Sequence, residues 1–160
     1  MSNPVTTWGV KLFDRALHSR TLTRAPIWVY RAGLGFVFGS RMLMLEHIGR
    51  RTGAVRFVVL EVLDHPSPDR YIVASGFGAR AQWFKNVQAN PQVKVSVAGR
   101  RSVSAEARPL TTAEADAALQ SYVHRHPAAW SALKPVLEGT FGQPISEHDT
   151  SLPMVEFSLS

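Results

Sequence analysis

Arg41-Met42-Leu43-Met44-Leu45-Glu46-His47-Ile48 enters the turn Gly49-Arg50-Arg51-Thr52-Gly53, which leads into Val55-Arg56-Phe57-Val58-Val59-Leu60-Glu61-Val62-Leu63. In the first segment, Met42 to Ile48 is apolar at most positions, as in a strand buried on both faces or lining a barrel. The last is rich in β-branched and aromatic residues, which suit a pleated, packed surface. Together they predict two strands joined by a tight turn that carries Arg50 and Arg51, with Arg56 just beyond. Two glycines there permit positive φ, and Thr52 can bond to the local backbone. Such a turn offers backbone N–H groups and guanidinium forks to an anion. The plain alternative is a solubilised hairpin tip.

Working downstream, Asp64-His65-Pro66-Ser67-Pro68-Asp69 predicts a loop, because proline interrupts a ladder. Tyr71 to Ser75 predicts a third strand that ends in the small residues Ala74-Ser75-Gly76, where a flat ring can approach the backbone. Arg80 to Gln88 predicts a short helix with Trp83, Phe84 and Val87 inward, closed by Asn90-Pro91. Val93, Val95 and Val97 alternate with polar or small residues, as do Val103, Ala105 and Ala107, giving two half-buried strands about the Gly99-Arg100 turn. Thr111 and Glu114 have capping-box spacing, so a helix should run to about His124 and stop before Pro127. A second should span about 128–137, followed by an irregular stretch at 139–149 and a last strand at 154–158.

Working upstream, residues 5–19 and 24–38 show helical spacing of apolar residues. Arg20, Arg24, Arg31 and Arg41 surround the apolar face of the second helix, which allows peripheral membrane contact through residues 24–41; covering one end of the core is the plainer role. The element order predicts a small antiparallel β-barrel or strongly curved sheet with helices packed outside. A chain of 160 residues favours one domain, 1–160, with a helical extension at 1–40 and the barrel at 41–160.

The chain has no cysteine, which excludes a thiolate nucleophile and cysteine metal sites and fits a cytoplasmic setting. The N-terminus lacks a basic region followed by an apolar run, so no signal peptide is expected. The six histidines are scattered and show no metal-ligand spacing, so no metal is expected. No nucleophile elbow surrounds Ser75. The net charge of +6 attracts anions in general, but the basic residues are dispersed and carry no nucleic-acid signature, so no nucleic-acid partner is expected.

Three segments in order, Gly49-Arg50-Arg51-Thr52-Gly53-x-x-Arg56, Val73-Ala74-Ser75-Gly76 and Trp83-Phe84-x-Asn86-x-x-Ala89-Asn90-Pro91, resemble the deazaflavin-dependent nitroreductase family. These are mostly actinobacterial oxidoreductases that use coenzyme F420, an 8-hydroxy-5-deazaflavin. The resemblance extends from Leu43 to Arg108 and includes the final strand. It implies an α+β, mainly β fold: a split β-barrel, FMN-binding-like, with N-terminal helices and a C-terminal helical pair packed outside. It implies that Arg50, Arg51 and Arg56 bind the phosphate and acidic tail, with Thr52 in the same turn. It further implies that the backbone at Val59, Ala74, Ser75 and Gly76 lies along the deazaflavin ring, and that Gln82, Trp83 and Asn86 stand on a helix closing the site. The chain departs from the family at Phe77, where a glycine is common, and in a shortened segment between Gly76 and Trp83. Tyr122, His126 and Trp130 occupy the stretch where family members carry a tyrosine-rich substrate wall.

The resulting expectation is a reductase that passes a hydride from the reduced deazaflavin to an electrophilic small-molecule acceptor such as an enone, quinone or nitro compound. Ser75 is the candidate catalytic group for the developing oxyanion or the proton, with Tyr122 and His126 as alternatives. An FMN-dependent reductase on the same barrel, and a non-catalytic cofactor-binding or membrane-associated module, remain open, as does a homodimer.

Overall fold

The computed structural model describes residues 41–160. The helices expected at 5–19 and 24–38, and the membrane-contact stretch apart from Arg41, lie outside the described residues. Six strands, β1 (Met42–Ile48), β2 (Val55–Ser67), β3 (Arg70–Ala74), β4 (Gln92–Val97), β5 (Arg100–Pro109) and β6 (Met154–Leu159), form a closed barrel in the order β1-β2-β3-β6-β5-β4. All six pairings are antiparallel. Among the described residues three α-helices accompany them: α1 (Gln82–Ala89), α2 (Thr112–Arg125) and α3 (Pro127–Phe141). The architecture is the expected mainly β split barrel with a C-terminal helical pair.

Strand alternation sends one set of side chains inward. Leu43, Leu45, Leu60, Val73, Val93, Val95, Val97, Val155 and Phe157 fill the interior. On the same pairs, Ala107 faces Phe157 and Ala105 faces Leu159, so small residues on β5 leave room for large ones on β6. Trp83, Phe84 and Val87 of α1 join this interior cluster and close one end of the barrel. The opposite parity faces outward: Leu63, Ile72 and Met154 pack under Leu119, Tyr122, Trp130, Leu133 and Leu137 of α2 and α3.

Two boundaries differ from the sequence reading. β2 runs through Pro66 to Ser67 rather than ending at Leu63. Its β1 register ends at Met42↔Glu61, followed by one more bond from Val62 N–H to the Arg41 carbonyl; beyond that, among the described strands, β2 pairs with β3, with register shifts between Val62 and Ser67, and a bulged stretch tolerates proline. α3 runs through Pro135 and Gly139 to Phe141 and ends on Gly142 in the left-handed conformation (φ 86°). Gly142, and not Gly139, therefore supplies the positive-φ stop.

Candidate functional site

A cleft of about 1010 Å³ opens where the β1–β2 turn, the segment after β3, α1 and the end of α3 meet. Its lining includes Arg50, Arg51, Thr52 and Arg56 from the first strand pair, with His47 at the end of β1. Phe77, Arg80, Gln82, Trp83 and Asn86 follow from the segment after β3 and from α1, and Thr140 from α3. The structure thus brings together seven of the expected site residues: Arg50, Arg51, Thr52, Arg56, Gln82, Trp83 and Asn86. Phe57 and Val58 add apolar wall.

The arginine turn is built by short-range bonds. Gly53 N–H donates to the Gly49 carbonyl and Gly49 N–H to the Ala54 carbonyl, both at 2.8 Å. Thr52 Oγ1 accepts from Ala54 N–H at 3.2 Å. Gly53 has φ 72°, which favours glycine. Gly49 is required for a different reason, since a Cβ there would lie 3.0 Å from Thr52 Oγ1.

Long-range bonds hold the turn against α1. Asn86 Oδ1 accepts from Arg50 N–H at 3.1 Å and from Arg50 Nη1 at 2.9 Å. Gln82 Oε1 accepts from Arg50 Nη2 at 3.0 Å. Asn86 Nδ2 lies 3.0 Å from His47 Nδ1. Burial, and secondarily the charge of Arg56, lower the His47 pKa to about 4, so the ring is neutral at pH 7.

The described lining of the cleft is cationic: among the described residues, four arginines and no aspartate or glutamate line it. Among the described residues, Arg50, Arg51, Arg56 and Arg80 make no ion pair, whereas Arg70, Arg100, Arg108 and Arg125 each pair with a carboxylate. Guanidinium groups left without carboxylates and facing one concave surface suit a phosphate or carboxylate ligand. Among the described residues, no group of three or more acidic, histidine or cysteine side chains could hold a metal ion.

The other expected residues lie elsewhere. Val59 does not line the cleft, whereas Arg56, Phe57 and Val58 before it on β2 do; Val59 pairs with Met44 of β1. Ser75 is fully buried, and its hydroxyl donates to the Gly78 carbonyl at 2.6 Å, so the reading of Ser75 as the group facing a reacting oxygen does not agree with its geometry. The Ala74-Ser75-Gly76 segment serves helix packing rather than an open ring face. Ala74 packs into the outer cluster, Gly76 O accepts from Thr140 Oγ1 at 2.7 Å, and a Cβ on Gly76 would stand 3.2 Å from Leu137. Tyr122 and Trp130 are buried in the α2–α3 core with their rings edge to face. His126 is exposed beside Tyr122. Burial, with the Glu61 charge adding to it, pushes the Tyr122 pKa up to about 12.

Sequence reasoning missed His47, Phe77, Arg80 and Thr140 as cleft residues. His47 shares the parity of Leu43 and Leu45 and immediately precedes the turn, which was a usable signal. Thr140 had none, because it reaches the site only through the fold of α3.

Among curated proteins, none matches the chain. Among solved structures, a protein described as a domain-swapped dimer is 19% identical with a TM-score of 0.53, the match covering 75% of this chain and 81% of that one. The F420-H2 dependent reductase FDR-A is 19% identical with a TM-score of 0.51, covering 74% and 94%. The Agrobacterium tumefaciens protein Atu2129, of unknown function, is 13% identical with a TM-score of 0.51, covering 86% and 58%. At these identities the likeness shows the fold. The model of the F420H(2)-dependent quinone reductase family matches residues 22–134, most of the chain, and the chain therefore belongs to that family.

Proposed function

We propose that the cleft binds the anionic tail of coenzyme F420 through Arg50, Arg51, Arg56 and Arg80, and that the enzyme reduces a quinone or a related electrophilic acceptor, an enone or nitro compound. The observation that carries this reading is the set of arginines around the cleft that, among the described residues, have no carboxylate partner and meet no acid in its lining. A tail of phosphate and carboxylates fits that donor set, and the cleft is of the size that encloses a cofactor-scale ligand.

The bound deazaflavin supplies the hydride. The chain's own part is positioning and exclusion of water. Arg50 is fixed in direction by Asn86 and Gln82, while Arg51 and Arg56 are free to close on the tail. Phe57, Val58, Phe77 and Trp83 offer apolar surface to the flat parts of cofactor and acceptor. Among the described residues no carboxylic acid lines the cleft, and solvent is the proton source of this reading. The functional unit is the whole chain: the family match starts at residue 22, which supports including the stretch before the barrel. A homodimer belongs to the same reading, prompted by the solved relative described as a domain-swapped dimer, and light scattering of the purified protein measures it.

Titration with F420 and with FMN tests the cofactor, because an FMN phosphate would meet the same arginines. Tighter binding of F420 is expected, and a clear preference for FMN would overturn the assignment. Arg51 is the cleaner variant site than Arg50, which also pins the turn. Arg51→Ala should weaken F420 binding about tenfold, the loss of one charge-assisted contact, with an unchanged melting temperature.

A further inference from the structure

The hydrogen bonds around Asn86 fix more than the turn. Arg50 N–H and Nη1 can only donate, and both point to the same Asn86 side-chain atom, at 3.1 and 2.9 Å. That atom is therefore the amide oxygen. The other amide atom is the NH2 group, which can only donate, and it lies 3.0 Å from His47 Nδ1. Nδ1 must then present its lone pair, so His47 is neutral with its proton on Nε2. The arginine sets the flip of the asparagine, and the asparagine sets the tautomer of the histidine. His47 and Asn86 are both 4% exposed, so water competes little for these bonds.

We propose that His47 is a positioning residue of the anion site, acting through Asn86: by accepting the amide N–H, it keeps the Asn86 oxygen aimed at Arg50 and holds the arginine turn against α1. The proposal deepens the reading of the cleft as the F420 tail site and rests on it. A proton on Nδ1 would demand an acceptor from Asn86. The amide would rotate, meet Arg50 with its NH2 group, donor against donor, and release the turn. The surroundings of His47 resist that proton. Arg56 faces it from β2, Arg50 and Arg51 stand on the turn, Arg80 follows β3, and the cleft residues of α1 (Gln82, Trp83 and Asn86) are uncharged. The lowered His47 pKa agrees with this arrangement.

The test combines a ring spectrum of the intact protein with F420 titrations of the wild type, His47→Leu, His47→Gln and Arg51→Ala at pH 7. Nitrogen-15 spectra of the wild-type ring should show the Nε2–H tautomer, and a proton on Nδ1 would overturn the proposal without any variant. Leucine removes the acceptor and should raise the F420 Kd roughly tenfold, the scale of one hydrogen bond to a charged group. Glutamine can offer its carbonyl oxygen to Asn86 and should recover most of the affinity. The change should appear in the F420 Kd more than in turnover at saturating reduced F420, since the effect lies in binding. If Arg51→Ala weakens binding and His47→Leu does not, the proposal fails and the cofactor reading stands. If neither weakens binding, the cofactor reading fails and carries the proposal with it.

Discussion

The Ser75 hydroxyl donates its proton to the Gly78 carbonyl at 2.6 Å, and Gly78 N–H returns a bond to the Ser75 carbonyl at 2.9 Å. Ser75 thus closes the turn that carries Phe77 to the cleft. Ser75→Ala should lower stability by about 1 kcal/mol, the net worth of one buried hydrogen bond, because the Gly78 carbonyl keeps the Ala81 N–H as a donor at 3.4 Å, and should leave turnover within a fewfold of wild type. A loss of turnover above a hundredfold in a variant of unchanged melting temperature would restore Ser75 as a reacting group. His47 makes the complementary residue-scale prediction. Its folded pKa is held at about 4, below the ordinary 6.5, so the unfolded chain binds its proton more readily. The stabilising contribution of the neutral ring is complete above pH 6.5 and is lost as the pH falls towards 4. At most roughly 3 kcal/mol is involved. Urea midpoints measured from pH 7 to pH 4 should fall more steeply for the wild type than for His47→Leu; parallel curves would exclude His47 as the source.

At the scale of elements, α2 begins as local chemistry dictates. Thr111 Oγ1 accepts from Glu114 N–H at 3.2 Å, and Glu114 Oε1 accepts from Thr111 N–H at 3.2 Å. Thr111→Ala should cost about 1 kcal/mol, read as a lower melting temperature with F420 affinity unchanged. The spacing of two residues made this cap legible, just as alternation made β4 and β5 legible: Val93, Val95, Ala105 and Ala107 all point inward. What lay beyond reach depended on partners distant in sequence. Pro66 stays in β2 because β1 has already ended beside it, a fact of pairing that the proline itself does not carry. The small residues after β3 suggested a surface for a ring, but the surface that meets them belongs to α3, more than sixty residues later. Gly78 shows the same dependence. It has φ 70°, and a Cβ would come within 3.0 Å of the Phe141 ring. Gly78→Ala therefore combines backbone strain with a clash and should destabilise by roughly 2–3 kcal/mol, a loss that denaturant unfolding can measure.

Across the whole molecule, the placement of charge matters more than its total. The net charge of +6 could have been spread over the surface, and much of the arginine content is indeed neutralised locally. Arg108 bonds Glu114 at 2.7 Å and Arg70 bonds Glu156 at 2.5 Å. Among the described residues, four arginines without a carboxylate partner, Arg50, Arg51, Arg56 and Arg80, meet at one concave face from three separate segments. The arginine turn was legible from Gly49 to Arg56; its convergence with Arg80 was not, because β3 and the following turn bring that residue in. Such a face draws an anionic cofactor by long-range attraction, which salt screens over a Debye length of about 10 Å at 0.1 M and 3 Å at 1 M. The F420 Kd should therefore rise steeply with sodium chloride, about tenfold or more between these concentrations. The slope of log Kd against log salt should shrink in Arg51→Ala and shrink again when Arg56→Ala is added. A slope that is flat in the wild type would mean that apolar contact with the ring, and not the arginine face, holds the cofactor. A steep slope unchanged in both variants would place the attraction at other cations of the chain.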